Sequence, residues 1–323
     1  MRRFVSVWLS LMLVCRMFFA VSACAEEQKD VAEVIREGFY RFDESIDVSS
    51  YGLTPQELSN LFSNIIKDDP YLFFVNNNLS YSYNSKGCVL SLKPAYSLTG
   101  YEALVALDLC RSIVRKMAEL ALDYKTDAAR ALFVHDYICE NYGYDVGLQS
   151  DDLYSFFLTG RGTCQSYAYA YMAVLRECGI ETGFVASDTI EHIWNYVRID
   201  GQWYHVDLTW DDSGDKADRR HFLCSDKMAK ERGHKDWYSS QMRSCVSEKY
   251  READFDKLLH KSYPLGDTDH NGKADLCDVA LLRRQLVFED VSNYCKLCAD
   301  VNGDGSVDEK DLWAFRKKLL GAT

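Results

Sequence analysis

Proline is scarce in this sequence, with 4 in 323 residues, and no apolar run reaches the roughly 18–20 residues that a membrane-spanning helix needs. Positive charge is also short: 37 Lys and Arg stand against 49 Asp and Glu, a formal net charge of −12. Nucleic-acid affinity comes mainly from cations that neutralise phosphates, so no nucleic-acid partner is expected of so acidic a chain. Glycine, at 18 residues, is too sparse for a collagen-like chain, and 12 cysteines spread over this length do not make a disulfide mini-protein. The rest reads as folded protein, with 47% apolar residues and length enough for two or three buried cores.

Arg2 and Arg3 open the chain, residues 4–14 are almost wholly apolar, and Ala23-Cys24-Ala25 forms a small-x-small cleavage pattern. A secretory signal over residues 1–25 is expected, and with it a secreted, extracellular protein. Its removal takes away three arginines and no acids, which moves the net charge to −15. Val21-Ser22-Ala23-Cys24 also resembles a bacterial lipobox, so a membrane association is expected only if Cys24 is lipidated. Ten cysteines lie beyond residue 25, and spacing alone pairs none of them. Cys295-Lys296-Leu297-Cys298 is a lone CxxC, with Cys277 as the one further zinc ligand in view.

Residues 26–108 mix helical stretches with short strands. Thr54-Pro55-Gln56-Glu57 is a helix entry, with proline at the first position, and Leu58, Leu61, Phe62, Ile65 and Ile66 follow at helical spacing. Residues 81–94 alternate around Ser85-Lys86-Gly87 and predict a hairpin; residues 101–124 and 126–141 predict long helices. The clearest boundary is Ser262-Tyr263-Pro264-Leu265-Gly266.

Beyond it the sequence repeats. Asp267, Asp269, Asn271, Gly272, Asp275 and Asp278 recur as Asp300, Asn302, Asp304, Gly305, Asp308 and Asp311, every position offset by 33. Calcium takes six to eight oxygen ligands from a flexible loop, and loop positions 1, 3, 5, 9 and 12 here carry Asp or Asn. Position 7 offers a backbone carbonyl from Lys273 or Ser306, and the glycine at position 6 supplies the tight turn. Two calcium ions are expected, each loop running into a short helix (residues 279–286 and 312–320), while residues 262–266 and 296–299 are not expected to build an entering helix. This paired loop-helix pattern resembles a dockerin module over residues 266–321, which implies a cohesin module of a scaffold protein as partner. Loop positions 10 and 11, which help choose the cohesin within that family, are Leu276-Cys277 in one copy and Glu309-Lys310 in the other. The module has 8 cationic against 11 acidic residues, so two bound calcium ions would relieve its own repulsion and couple binding to folding.

Gly160-Arg161-Gly162-Thr163-Cys164 precedes a helical stretch over residues 165–177. A thiol at a helix N-terminus feels the positive end of the dipole, which favours the thiolate. Downstream, residues 192–199 alternate like a strand, Asp200-Gly201 is a hairpin turn, and residues 202–210 alternate again. That register sets Ile199 opposite Gln202 and His192 opposite Thr209, with His192, Trp194, Asp207 and Thr209 on one face. Cysteine, histidine and carboxylate supply nucleophile, proton shuttle and orienting group for thiol chemistry on an acyl carbon. His205 shares the face and rivals His192, whereas His135, His221, His234, His260 and His270 are read as structural.

The stretch from Gly162-Thr163-Cys164-Gln165-Ser166, through His192-Ile193-Trp194-Asn195, to Trp203-Tyr204-His205-Val206-Asp207-Leu208-Thr209-Trp210 resembles the transglutaminase-like superfamily. The resemblance implies a papain-like core within an α+β fold, with Cys164 as nucleophile, His192 as general base and Asp207 as orienting carboxylate. Ser166 departs from it, since many relatives carry glycine there. The expected organisation is a signal over 1–25, an N-terminal α/β lead-in region over 26–108, the catalytic domain over 109–263 and a small all-α dockerin over 266–321. The expected function is a secreted, scaffold-docked (cellulosome-type) cysteine peptidase or amidase acting on a protein or peptide substrate. The alternatives are an inactive binding module carried by the dockerin and a protein-crosslinking acyltransferase.

Overall fold

The computed structural model describes residues 30–321 except 148, 215, 239–242, 261–262, 270 and 289–294. The expected export signal, Cys24, Ser262 and His270 therefore lie outside the described residues.

Two compact units divide the chain, one of Met1–Phe62 with Asn78–Pro94 and one of Ser63–Asn77 with Ala95–Thr323. In the first, helix α1 (Val31–Tyr40) starts at Asp30, whose side chain accepts the Ala32 N–H. Gly38 lets α1 approach strand β1 (Ile46–Asp47): a Cβ there would lie 2.5 Å from Ile46 Cδ1. Helix α2 (Pro55–Asp68) begins in this unit with a reciprocal cap, Glu57 N–H to Thr54 Oγ1 at 3.3 Å and Thr54 N–H to Glu57 Oε2 at 2.8 Å. The predicted hairpin forms as β2 (Ser80–Tyr83) and β3 (Val89–Lys93) in an antiparallel sheet of order β1-β3-β2.

The second unit opens on the two predicted long helices, α3 (Gly100–Leu122) and α4 (Asp127–Asn141), capped by Thr99 and Thr126. Short strands β4 (Gly143–Tyr144) and β5 (Arg161–Gly162) pair in parallel on either side of α5 (Leu153–Thr159). Helix α6 (Cys164–Glu177) is the centre of the core: residues 166–175 are all buried, many against apolar side chains of α3 and α4. A helix apolar on all sides must be covered on all sides, and the sheet β6 (Thr182–Ser187), β7 (His192–Ile199) and β8 (Gln202–Val206) packs along it. Helices and a small antiparallel sheet stay segregated, which is the expected α+β class.

The register of β7 and β8 is the predicted one, with Ile199 opposite Gln202 and Tyr196 opposite His205. Asp200 and Gly201 both take positive φ, 51° and 76°, as a two-residue hairpin of this twist requires. Beyond Val206 the expectation fails. The Asp207 side chain accepts the Trp210 N–H and starts helix α7 (Leu208–Asp211), so Thr209 is helical, the β7–β8 pairing ends at Asn195 and Val206, and His192 has no partner on β8.

Helices α8 (Asp226–Glu231) and α9 (Phe255–His260) lead to the C-terminal repeats. Each acidic loop runs into a helix, α10 (Leu276–Phe288) and α12 (Glu309–Leu319), each starting three residues earlier than expected. A single turn, α11 (Lys296–Ala299), forms where no entering helix was expected, but four residues are too few for a helix-loop-helix arm. Val279, Leu282, Ala299 and Phe315 make the small core between these helices. Tyr263 and Cys298 pack with Tyr124 and Ala129 of the helical core. The eight cysteines from Cys88 to Cys277 are free thiols, and no described helix is long and apolar enough to cross a membrane.

Candidate functional site

Cys164 is the first residue of α6, and the chain reaches it through a tight passage. At Gly162 a Cβ would lie 2.5 Å from both Phe156 Cδ2 and Ser166 Cβ, so only glycine fits without displacement. Ser166 is fully buried and donates its hydroxyl to the Ser150 carbonyl at 2.6 Å, which explains how a serine is accommodated there. Asn195 ties the strand that carries His192 to the helix that carries Cys164, donating to the carbonyls of Ala168 at 3.0 Å and Gly183 at 3.2 Å.

His192 begins β7 and Asp207 ends the run of β8, and the two meet with Nε2 2.7 Å from Oδ2. Nε2 is thereby committed to Asp207, and the other ring nitrogen is left for the thiol. Trp210 stacks on the His192 ring at 5.0 Å and 12° between planes, with Trp194 at 5.8 Å and 21°. Such stacking suits a ring that carries positive charge.

Electrostatics follow from this contact. Burial pushes the Cys164 thiol up, but hydrogen bonding and charge from His192, with the backbone N–H groups of Ile193 and Gln165, leave it below its ordinary value. Burial pulls His192 down, and Asp207 and then Cys164 overcome it, raising the imidazole from 6.5 to about 9. Asp207 is fully buried, which opposes ionisation, yet His192 and His234 hold it well below the usual carboxylate range. The arrangement favours thiolate and imidazolium together. Tyr144, paired with Gly162 across β4 and β5, has its hydroxyl raised first by burial and then by the charge of Cys164. The Gln165 amide is occupied with the Asp151 carbonyl at 2.8 Å.

The rival His205 is engaged elsewhere: Trp194 Nε1 donates to its Nδ1 at 3.0 Å and its Nε2 lies 2.9 Å from Asp226. With Nδ1 accepting, Nε2 must hold the proton. That makes the nearby His205, Asp226 and Cys245 a poor metal set despite their grouping, because a ligating nitrogen needs its lone pair. His135 and His221 are bound to the buried Asp211 at 3.1 and 2.8 Å, and His135 is held between Asp136 and Asp211. His234, read as structural from the sequence, has its Nε2 2.8 Å from Asp207 Oδ2. No spacing signal marks it, because the contact spans 27 residues that include two short helices and no repeating pattern.

In the acidic repeats the first and last loop carboxylates gather backbone N–H groups in matching ways. Asp267 Oδ2 accepts Gly272 N–H and Asp300 Oδ2 accepts Gly305 N–H, both at 2.9 Å. Asp278 Oδ2 accepts Asp275 N–H at 2.8 Å and Asp311 Oδ2 accepts Asp308 N–H at 2.9 Å. Gly272 and Gly305 share the same φ of 86°, the left-handed turn that folds each loop inward. Asp267, Asp278 and Asp311 are fully buried, and Asp267, Asp269 and Asp278 bring oxygens within 4.8 Å of one another. Converging buried carboxylates and carbonyl-rich backbone fit a hard cation. Asn271, Lys273, Asn302, Asp304 and Ser306 are exposed at the loop rims, with Asp275, Asp300 and Asp308 partly buried. Among the described residues, Cys295 and Cys298 enter no three-ligand grouping with Cys277, which is exposed.

Comparison with known families gives two matches. Residues 114–208 match the transglutaminase-like superfamily and residues 265–320 match the dockerin type I domain. The chain carries a transglutaminase-like core and a type I dockerin. Human and mouse proteins named kyphoscoliosis peptidase are 26% identical over 114 residues, 29% of this chain and 17% of their own length. A crystal structure described as a TGase overlaps 58% of this chain and 62% of its own at 13% identity, with a TM-score of 0.32. The superfamily match supports an enzyme-type core at the level of the superfamily over residues 114–208. Type I dockerins typically bind calcium.

Proposed function

We propose that this protein is a secreted, scaffold-docked cysteine hydrolase that cleaves peptide or amide bonds through Cys164, His192 and Asp207. The observation that carries the reading is the contact at the start of α6: a thiol lowered by His192, whose imidazole is raised to about 9 by Asp207 and the thiol itself. The Cys164 thiolate attacks the acyl carbon, and the negative charge passes to the carbonyl oxygen. His192 gives its proton to the departing amine, leaving a thioester. Water then attacks with His192 as base, and the acid leaves as the thiol is restored. The name of the human and mouse relatives supports hydrolysis over transfer to an amine.

The C-terminal module joins the enzyme to a cohesin. Asp267, Asp269, Asn271, Asp275 and Asp278, with the Lys273 carbonyl, would hold one calcium ion. Asp300, Asn302, Asp304, Asp308 and Asp311, with the Ser306 carbonyl, would hold the second. The residues from 26 to 108 serve as the lead-in region, 109–263 as the catalytic domain and 266–321 as the dockerin.

A denatured protein incubated with the enzyme and a fluorescent primary amine tests the reaction. New amino termini, absent with Cys164→Ala, are expected. Incorporation of the amine without cleavage would turn the reading to cross-linking, and neither product together with an ordinary thiol at Cys164 would overturn it.

A further inference from the structure

His234 follows α8 and belongs to neither strand of the hairpin, yet it reaches the centre of the site. Its Nε2 lies 2.8 Å from Asp207 Oδ2, the same oxygen that meets His192 Nε2 at 2.7 Å. The other oxygen, Oδ1, accepts the Trp210 N–H at 3.2 Å. His234 and Asp207 are each 1% exposed, so no solvent shares the contact. Nδ1 of His234 is buried with no partner, which suits a bare ring nitrogen and places the proton on Nε2. The ring is gripped between Trp210, centroids 4.2 Å apart, and Trp194, at 4.5 Å. Both histidines are therefore donors to one carboxylate oxygen.

We infer that His234 is a positioning residue that competes with His192 for Asp207 Oδ2 and so limits how tightly Asp207 holds the His192 imidazolium. The inference rests on the hydrolase reading for its consequence in catalysis. A carboxylate oxygen that accepts two hydrogen bonds gives less of its charge to each donor than an oxygen serving one. An imidazolium bound too tightly is a weak acid and gives up its proton slowly to a leaving amine. Removing His234 leaves Asp207 anchored by the Trp210 cap and its backbone N–H to His221 at 3.1 Å, so the carboxylate stays in place and turns fully to His192. The ionisable groups around the pair are Cys164 from α6 facing His192, with His205, His221, Cys139 and Cys224 around Asp207 and His234. None of these supplies the competing N–H to Oδ2.

The test compares wild type, His234→Phe, His234→Met and His234→Gln in the full chain. The first two variants remove the donor, and Met preserves a foldable protein if the larger ring disturbs packing. Gln keeps an N–H where Nε2 stood. The readouts are NMR titration of the His192 ring and the pH dependence of iodoacetamide labelling at Cys164. His234→Phe and His234→Met should raise the pH at which His192 loses its proton by about one unit, a tenfold change in the imidazolium-to-imidazole ratio. His234→Gln should titrate close to wild type. Identical His192 titrations in all four proteins overturn the inference, and so does an equal shift in Gln and Met, which would mark general repacking. A wild-type Cys164 that labels as an ordinary thiol, while His192 still shifts with His234, removes the hydrolase reading and leaves the competition standing.

Discussion

Asp207→Asn isolates what the carboxylate charge does, because asparagine keeps the shape. Its amide oxygen can still accept the Trp210 N–H that starts α7, and asparagine is as good a helix cap as aspartate. The amide nitrogen then faces two ring N–H groups, those of His192 and His234, and donor meets donor. One such buried mismatch costs about 1–3 kcal/mol. The functional effect is larger. Lifting His192 from 6.5 to about 9 corresponds to roughly 3 kcal/mol favouring the imidazolium, and the ring is buried enough that solvent does little to screen it. The sign is that of a raised base: this stabilisation is full below 6.5 and fades as pH rises through about 9. Without Asp207, only Cys164 still works against burial, and the proton leaves at a lower pH than in wild type. The thiolate–imidazolium pair at neutral pH should then fall by about a hundredfold, and iodoacetamide labelling of Cys164 at pH 6–7 with it. Labelling should recover only at alkaline pH, where the thiol ionises alone. Peptide mass spectrometry across pH 5–10, with thermal unfolding to confirm a folded variant, makes the measurement. A variant with the wild-type labelling profile would refute the reasoning.

Gly162→Ala should destabilise the protein by about 1–3 kcal/mol in urea unfolding, because its Cβ would collide with Phe156 and Ser166 at 2.5 Å. A variant as stable as wild type would show that the entry to α6 is looser than the contacts imply. Calcium should raise the thermal midpoint of the C-terminal repeats and enable cohesin capture. Asp278→Ala, which strips acceptors from the Thr268, Asp269 and Asp275 N–H groups, should lose most of both effects; unchanged capture would remove Asp278 from the ion site.

Local patterns were the legible part of this molecule. The calcium-type loops draw their carboxylates from within twelve residues, so type and spacing alone outline them. The β7–β8 hairpin is likewise written in alternation and an Asp-Gly turn, and it brings His192 toward Asp207 without further information. Alternation misleads from residue 207 onward, because a local side-chain-to-backbone bond at Asp207 ends the strand while the apolar pattern continues. The contact between His135 and Asp211 spans 76 residues and that between His234 and Asp207 spans 27, and neither leaves a periodic trace. Histidines in such places look alike in sequence whether they meet Asp211 or the carboxylate that holds His192. The entry to α6 shows the same limit from the other side: Gly162 reads as an ordinary turn glycine until the ring of Phe156 is seen against it.

Asp207 explains why the strand must stop where it does. A carboxylate on a continuing strand could face His192, but its second oxygen would lie in the apolar interior with nothing to satisfy it. By turning into α7 at that point, the chain supplies the Trp210 N–H to one oxygen and frees the other for the histidines. The same turn carries the Trp210 ring over His192 and against His234. It also places Asp211 beneath them, where it takes His135 and His221. Four residues of helix thus satisfy a fully buried carboxylate, cover two imidazoles and anchor a second buried network. A buried charge is tolerable only when every oxygen is answered. The sharper consequence is that substitutions in 208–211 that unwind this turn should act on the Cys164 thiol by releasing Asp207 from the cap that aims it, which would show as slower iodoacetamide labelling of Cys164 near neutral pH.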